Sequence, residues 1–244
     1  MKTYSTIEIA RINSIHPNTV RFYEKVGFIT APERRSNGYR IFTDIHIWQI
    51  RLIKLALRAE ILQNGLRKQA VNIIRSCAKK DFSQASKQSD EYILMIINEI
   101  SHAKEAIISV ESIISDISPF QQMSLRKTEA AEYLNITADT LRNWDRNGLI
   151  DVKRKDNNYR VYDKNDLQIL SIIRTLRCAN YSLSSILRLI TAIKNKTCKN
   201  IENILNTPLA DEEIISACDK QITSLELTLS DAYKISNMIK NINL

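Results

Sequence analysis

Apolar residues return at steps of three and four along most of this chain, and two stretches keep that step unbroken. Ile93, Ile96, Ile100, Ala103, Ile107, Val110, Ile114 and Ile117 form one series; Ile215, Cys218, Ile222, Leu225, Leu229, Ala232, Ser236 and Ile239 form the other. This is the a/d seam of a heptad repeat, and it predicts a long coiled-coil helix over 81–118 and a second over 201–244. Pro119 ends the first. Shorter helices with the same step are predicted over 45–59, 63–79, 164–178 and 183–195, their apolar faces turned to a core.

The polar positions mark where the first elements begin and end. Ser5 and Glu8 have the spacing of a capping box before Ile9 and Ala10. Asn13-Ser14-Ile15-His16 reads as a turn, and Pro17 suits the first position of a new helix, where its missing N–H costs nothing. Gly27 suits the left-handed residue that closes it. Two short helices across a tight turn make a helix-turn-helix, whose second helix is of a size to fit the DNA major groove. Asn37-Gly38 then predicts a hairpin, because both residue types tolerate positive φ. That hairpin carries Arg34, Arg35, Tyr39 and Arg40, potential phosphate partners, and reads as a wing lying along a nucleic-acid backbone.

The same plan recurs. Glu8, Ala10, Ile15, Thr19, Arg21, Gly27 and Ile29 reappear 121 residues on as Glu129, Ala131, Ile136, Thr140, Arg142, Gly148 and Ile150. Asn37, Tyr39 and Arg40 reappear 120 on as Asn157, Tyr159 and Arg160, with Tyr23, Glu24 and Phe42 answered by Trp144, Asp145 and Tyr162. The chain reads as a tandem duplication. It divides into a DNA-binding domain over 1–80, a long helix over 81–118, a connector over 119–123, a second DNA-binding domain over 124–200 and a second long helix over 201–244. A connector of five or six residues reaches about 20 Å at most. The fold class expected is therefore mainly α: tandem winged helix-turn-helix domains, each followed by a long coiled-coil helix.

Charge follows the same division. Residues 1–80 hold fifteen Lys and Arg against five Asp and Glu, and residues 123–200 hold fifteen against eight. The segments between and after them are net acidic, and the 244-residue whole carries +8. Two basic modules suggest two anion-binding surfaces. Only four glycines and four prolines exclude a collagenous or linker-like chain. Scattered cysteines and no signal-peptide pattern suggest a reduced, cytoplasmic protein, and no apolar run approaches the roughly 18 residues of a membrane span.

The run Thr19-Val20-Arg21-Phe22-Tyr23-Glu24-Lys25-Val26-Gly27-Phe28-Ile29, followed by Asn37-Gly38-Tyr39-Arg40-Ile41-Phe42, resembles the MerR family of bacterial transcription regulators. So does its second copy, Thr140 to Ile150 followed by Tyr159-Arg160-Val161-Tyr162. The resemblance implies double-stranded promoter DNA as partner, bound and distorted so that RNA polymerase can engage. It does not fix activation or repression. The resemblance also implies long helices running antiparallel across a dimer, and the short connector suits that arrangement within one chain, forming an intrachain pseudo-dimer; a monomeric pseudo-dimer is favoured over an obligate homodimer. The DNA-binding residues expected are Asn18, Thr19, Arg21, Phe22, Tyr23, Arg34, Arg35, Tyr39 and Arg40 in the first copy. In the second they are Thr140, Arg142, Asn143, Trp144, Arg154, Lys155, Tyr159 and Arg160. The first turns of the two recognition helices differ: His16, Asn18 and Phe22 become Thr137, Asp139 and Asn143. Dissimilar half-sites are therefore expected.

Catalytic chemistry is not indicated: His16, His46 and His102 lack zinc-ligand spacing with cysteine, and no phosphate-binding loop or dinucleotide fingerprint occurs. The chain reads as no enzyme, with no cofactor and no metal. Metal-sensing MerR proteins bind the ion through thiols near the start of the long helix and in a loop at its end. Cys77 and Cys198 read as equivalent positions before the two long helices, but the end-loop thiols are missing. An accessory DNA-bending protein of a mobile element, excisionase-like, is the alternative function. A protein-interaction module that has lost DNA binding is a third, opposed by the retained Arg21, Arg40, Arg142 and Arg160.

Overall fold

In the computed structural model, described over residues 2–58, 65–115, 124–152, 160–208 and 217–242, the chain is mostly helical with two small antiparallel ribbons. It divides into two compact units: unit 1 comprises residues 1–98 with 225–244, and unit 2 comprises residues 99–224.

Unit 1 begins with Tyr4, whose backbone exchanges hydrogen bonds of 2.8 and 2.9 Å with Phe42. α1 (Thr6–Ile12) opens with the reciprocal cap: Glu8 N donates to Ser5 Oγ, and Ser5 N to the Glu8 carboxylate at 2.7 Å. α2 (Pro17–Lys25) has His16 at its N-cap, Nδ1 accepting from Asn18 N at 3.1 Å. β1 (Glu33–Arg34) pairs with β2 (Arg40–Ile41). In the loop between them Gly38 N donates to Arg35 O and Arg35 N to Tyr39 O, and Gly38 has φ +81° while Asn37 has no positive φ. This is a three-residue loop ending in a left-handed glycine. The turn with both central residues left-handed, which Asn-Gly suggests, does not form. α3 (Asp44–Ala56) and α4 (Leu66–Ala78) follow. A buried amide ties them together: Gln49 accepts from Thr30 N and donates to Thr30 Oγ1 and to the Cys77 carbonyl.

Unit 2 repeats the plan. β3 (Ser124–Arg126) pairs with β4 (Val161–Asp163), so Leu125 faces Tyr162 as Tyr4 faces Phe42. α6 (Lys127–Tyr133) and α7 (Ala138–Arg146) form the second helix-turn-helix, and α8 (Lys164–Cys178) and α9 (Leu183–Lys194) follow. In both turns a non-glycine residue takes the left-handed conformation, Ser14 at φ +52° and Asn135 at +49°.

The long helices depart from the sequence reading in two ways. α5 (Phe82–Ser115) buries Ser89, Tyr92 and Ala106 beside its a/d series, while Ile100 stays half-buried. These additional buried positions make the stripe of a helix packed on a globular body, locally wider than a strict coiled-coil seam. Its second half does this in unit 2, where Ala103, Ala106, Ile107 and Val110 join the core of Leu141, Trp144, Leu170 and Ile173. The second long helix does not fill 201–244. α10 (Ile201–Asn206) stops at Thr207, and a 3₁₀ turn over 217–220 precedes α11 (Gln221–Lys240). Pro208 is the cause: its ring excludes the helical conformation from the residue before it, and Thr207 is extended at φ −120°, ψ 98°. Ile215, Ile117 and the 119–123 connector lie outside the described residues.

In unit 1 α11 buries Ala232, Ile235 and Ile239. It is held by a buried carboxylate: Asp231, its side chain only 6% exposed, accepts two bonds from the Arg58 guanidinium, Nε at 2.6 Å, with Lys234 at 3.2 Å. Lys240 adds a 2.9 Å pair with Asp90 of α5. Among the described residues no helix is long and apolar enough to cross a membrane.

Arg58→Ala strands the Asp231 charge with Lys234 alone and is expected to lower stability by about 1–3 kcal/mol, measured by urea unfolding; Arg58→Lys recovers part of it. His46 supplies a pH dependence. Its Nδ1 accepts from Thr43 N at 3.0 Å, and burial, aided by Lys80, lowers its pKa below the usual 6.5. The unfolded chain then binds a proton that the folded chain refuses. The contribution is full above about pH 6.5 and is lost as pH falls towards the lowered value. His46→Gln should flatten the fall in Tm between pH 7.5 and pH 5.5.

Candidate nucleic-acid interface

Each recognition helix is anchored by its apolar side and bares its polar one. α2 buries Val20 and half-buries Tyr23, whose ring lies 6.2 Å from Phe28; burial raises the Tyr23 pKa. Asn18 and Arg21 are exposed, as is Phe22 at 54%. α7 buries both Leu141 and Trp144 and exposes Asp139, Arg142 and Asn143. Thr19 and Thr140 are half-buried on the flank. Thr137 Oγ1 accepts from Thr140 N at 3.1 Å, the cap that His16 provides in unit 1. Trp144, expected to touch DNA, is 6% exposed and belongs to the core. With Leu141 three residues earlier it completes the apolar side that fastens α7, so it positions the helix and offers no free face.

The exposed arginine of each helix is tethered in the same way by the residue three before it. Arg21 donates to Asn18 Oδ1 at 2.8 Å, and Arg142 to Asp139 Oδ1 at 2.9 Å. The tether is a neutral amide in one module and a carboxylate in the other. Both are exposed, so either arginine can exchange its tether for a nucleic-acid acceptor at little cost.

The wing arginines are committed. Arg40 donates to Glu24 of α2 at 2.5 Å, and Arg160 lies 2.6 Å from Asp145 of α7, with all four side chains less than 30% exposed. Arg34 reaches Glu24 at 3.6 Å. Arg40 and Arg160 thus face the recognition helix, and the free phosphate contact expected of them gives way to a helix-to-wing clamp. The repeat carried the signal, since acid and arginine recur together as Glu24/Arg40 and Asp145/Arg160. Arg35 is exposed and Tyr39 is 72% exposed, so the tip of the first wing remains free to meet a partner. Arg154, Lys155 and Tyr159 lie outside the described residues.

Burial pushes the Cys77 pKa up to about 12 and raises that of Cys198, which disfavours the thiolate. The two are not equivalent either. Cys77 lies three residues before the left-handed Lys80 that closes α4, and Cys198 two residues after the left-handed Lys196 that closes α9. Among the described residues no group of three or more His, Cys, Asp or Glu is placed to hold a metal.

Residues 5–42 match a model described as MerR family regulatory protein, and residues 125–193 one described as MerR HTH family regulatory protein. The HTH-type transcriptional regulator CueR of Escherichia coli O157:H7 is 37% identical over 49 residues, 20% of this chain and 36% of that protein. The HTH-type transcriptional regulator AdhR of Bacillus subtilis is 35% identical over 80 residues, 32% and 57%. The mercuric resistance operon regulatory protein of Bacillus cereus is 24% identical over 110 residues, 45% and 79%. The chain thus spans about a third of CueR and just over half of AdhR. A solved structure of HiNmlR, a MerR family regulator lacking the sensor domain, bound to promoter DNA, is 26% identical and covers 46% of this chain and 71% of its own, with a TM-score of 0.29.

The clamp has a measurable signature. Glu24→Gln and Arg40→Ala are each expected to destabilise unit 1 by about 1–2 kcal/mol, and the double variant by little more than either alone. Additive losses in thermal unfolding would show that the two side chains do not meet in solution.

Proposed function

We propose that this chain is a DNA-binding transcription regulator of the MerR family with two of its modules, and that it engages its operator through both. Both modules bind double-stranded promoter DNA, each with its recognition helix in a major groove and its wing along the adjoining backbone. The observation that carries this reading is the exposed arginine repeated in both units with the same tether, Arg21 on Asn18 and Arg142 on Asp139. Arg21, Arg142, Asn18, Phe22 and Asn143 are the candidates for base edges; Arg35 and Tyr39 are the candidates for phosphate. Arg40, Arg160 and Trp144 act by positioning.

One chain supplies both modules as a pseudo-dimer, and bound promoter DNA is distorted so that RNA polymerase engages it from the cytoplasm. The division into two modules with two long helices is supported by the make-up of the units. Each is completed by a long-helix segment from the other half of the sequence, 225–244 in unit 1 and 99–115 in unit 2. Sedimentation of dilute protein is expected to give one chain of 28.1 kDa. An obligate two-chain species would overturn the pseudo-dimer.

A homodimer presents identical helices and favours a palindrome, and this chain is free of that constraint. Asn18 can offer an amide to adenine, while Asp139 only accepts, for instance from cytosine N4, and repels phosphate. Phe22 can contact a thymine methyl, whereas Asn143 offers a donor and an acceptor. Selection from random duplexes is therefore expected to return dissimilar half-sites of fixed polarity. If a duplex carrying either half-site twice binds as tightly as the selected site, both helices read the same bases. In cells, occupancy between the two polymerase elements of a promoter supports regulation, and occupancy of a recombination site overturns it.

A further inference from the structure

Unit 1 holds a cleft of about 640 Å³ between the Asn13–Ser14 turn, one side of α3 and the end of α11. Its walls are of two kinds: Trp48, Leu55 and Met238 are apolar, and Arg51, Lys54 and Arg58 are cationic. None of the described residues that line it is acidic. Trp48 is half-buried and is braced by Phe82, the two rings standing at 90° with their centroids 5.8 Å apart. Two of the cations are fixed by the fold. Lys54 Nζ donates to the Asn13 carbonyl at 2.8 Å, and Arg58 is held on Asp231. Arg51 is exposed and bonds to none of the described residues.

The repeat does not reproduce this lining. At the interval of 120 residues Trp48, Arg51, Leu55 and Arg58 are answered by Gln168, Ser171, Thr175 and Cys178, and only Lys54 keeps its charge, as Arg174. The recognition and wing arginines are kept in both copies, Arg21 as Arg142 and Arg40 as Arg160. A surface built in one module alone therefore has an occupant that the other module does not share, and no residue of α2 lines it. The walls describe that occupant. The volume suits a molecule of one or two rings. A free guanidinium pairs in two-pronged fashion with a carboxylate. Beside it, a Trp face and a thioether accommodate a flat apolar body.

We propose that this cleft is a binding site for a small aromatic carboxylate, its ring against Trp48, Leu55 and Met238 and its carboxylate on Arg51 with Lys54 beside it. Lys54 has three N–H donors, so it keeps its bond to Asn13 while donating to the ligand. The bound molecule touches the turn that leads into the recognition helix and the end of α11 at once. Its binding is thereby coupled to the affinity for the operator, and the coupling is reciprocal. The coupling rests on the DNA-binding reading above; the site itself does not.

The test is calorimetric titration of the full chain with 2-naphthoate, and with 2-naphthylmethanol as the uncharged counterpart. Naphthoate is expected to bind a single site, with the alcohol at least about tenfold weaker. Arg51→Ala should raise the naphthoate Kd by about tenfold or more, with Tm unchanged because the side chain is exposed. Arg51→Lys should recover part of the loss, and Ser171→Ala, at the equivalent position of unit 2, should change nothing. No binding at millimolar naphthoate, equal binding of the alcohol, or a Kd indifferent to Arg51→Ala would each overturn the site. So would a chain that ignores naphthoate while Arg51→Ala weakens duplex binding and its salt dependence, since the cleft then belongs to the DNA backbone. Saturating naphthoate should shift the operator Kd about fivefold in the wild type and leave it unmoved in Arg51→Ala. Naphthoate binding with an unmoved operator Kd would overturn the coupling. Naphthoate binding by a chain that holds no duplex would overturn the DNA reading and leave the site standing.

Discussion

The constraint on which the fold depends is that neither long helix can be covered by the module it follows. α5 buries Tyr92 beside Ile93 and Ala106 beside Ile107, which makes its stripe locally wider than a strict a/d seam. The stripe is satisfied in sections: Tyr92, Ile93 and Ile96 within unit 1, and Ala103, Ala106, Ile107 and Val110 within the core of unit 2. α11 is used the same way, Ile222 in unit 2 and Ala232, Ile235 and Ile239 in unit 1. Each core is thereby assembled from both halves of a duplicated sequence, and a loss in one long helix reaches both.

The polar groups on these helices are placed where apolar packing alone would be indifferent to position. A stripe of Ile and Ala tolerates sliding by one heptad; a buried Asp231 does not, because away from Arg58 it would be a charge without its two-pronged partner. The counterpart of Arg58 in the second module is Cys178, so that site offers no such partner. Duplication supplied two similar helix ends, and one ion pair now distinguishes them. The same divergence marks the recognition helices, where Asn18 and Asp139 hold equivalent arginines with different charge.

What was legible in the sequence was what local chemistry dictates. Ser5 with Glu8, Pro17 at a helix start and Gly38 in the hairpin each act within a few residues, and the repeat doubled every such signal. The seams were legible as far as the 3–4 step goes, but that step cannot tell a partner helix from a globular body. Pro208 carried a local signal that outweighs the seam reading of 201–244, because a proline breaks a helix whatever the apolar period says. Side-chain commitments across the fold were hidden. Arg40 and Trp144 have the residue types of a DNA contact, and only their three-dimensional neighbours, Glu24 for the one and the Leu141 core for the other, assign them to positioning.

That reassignment changes where the binding energy must come from. With Arg40 and Arg160 paired with Glu24 and Asp145, part of the basic excess of each module is spent inside the protein. A charge already paired with a half-buried carboxylate releases no counterion from DNA. Arg35 at the tip of the first wing and the exposed Arg21 and Arg142 of the recognition helices are cations that no half-buried carboxylate holds.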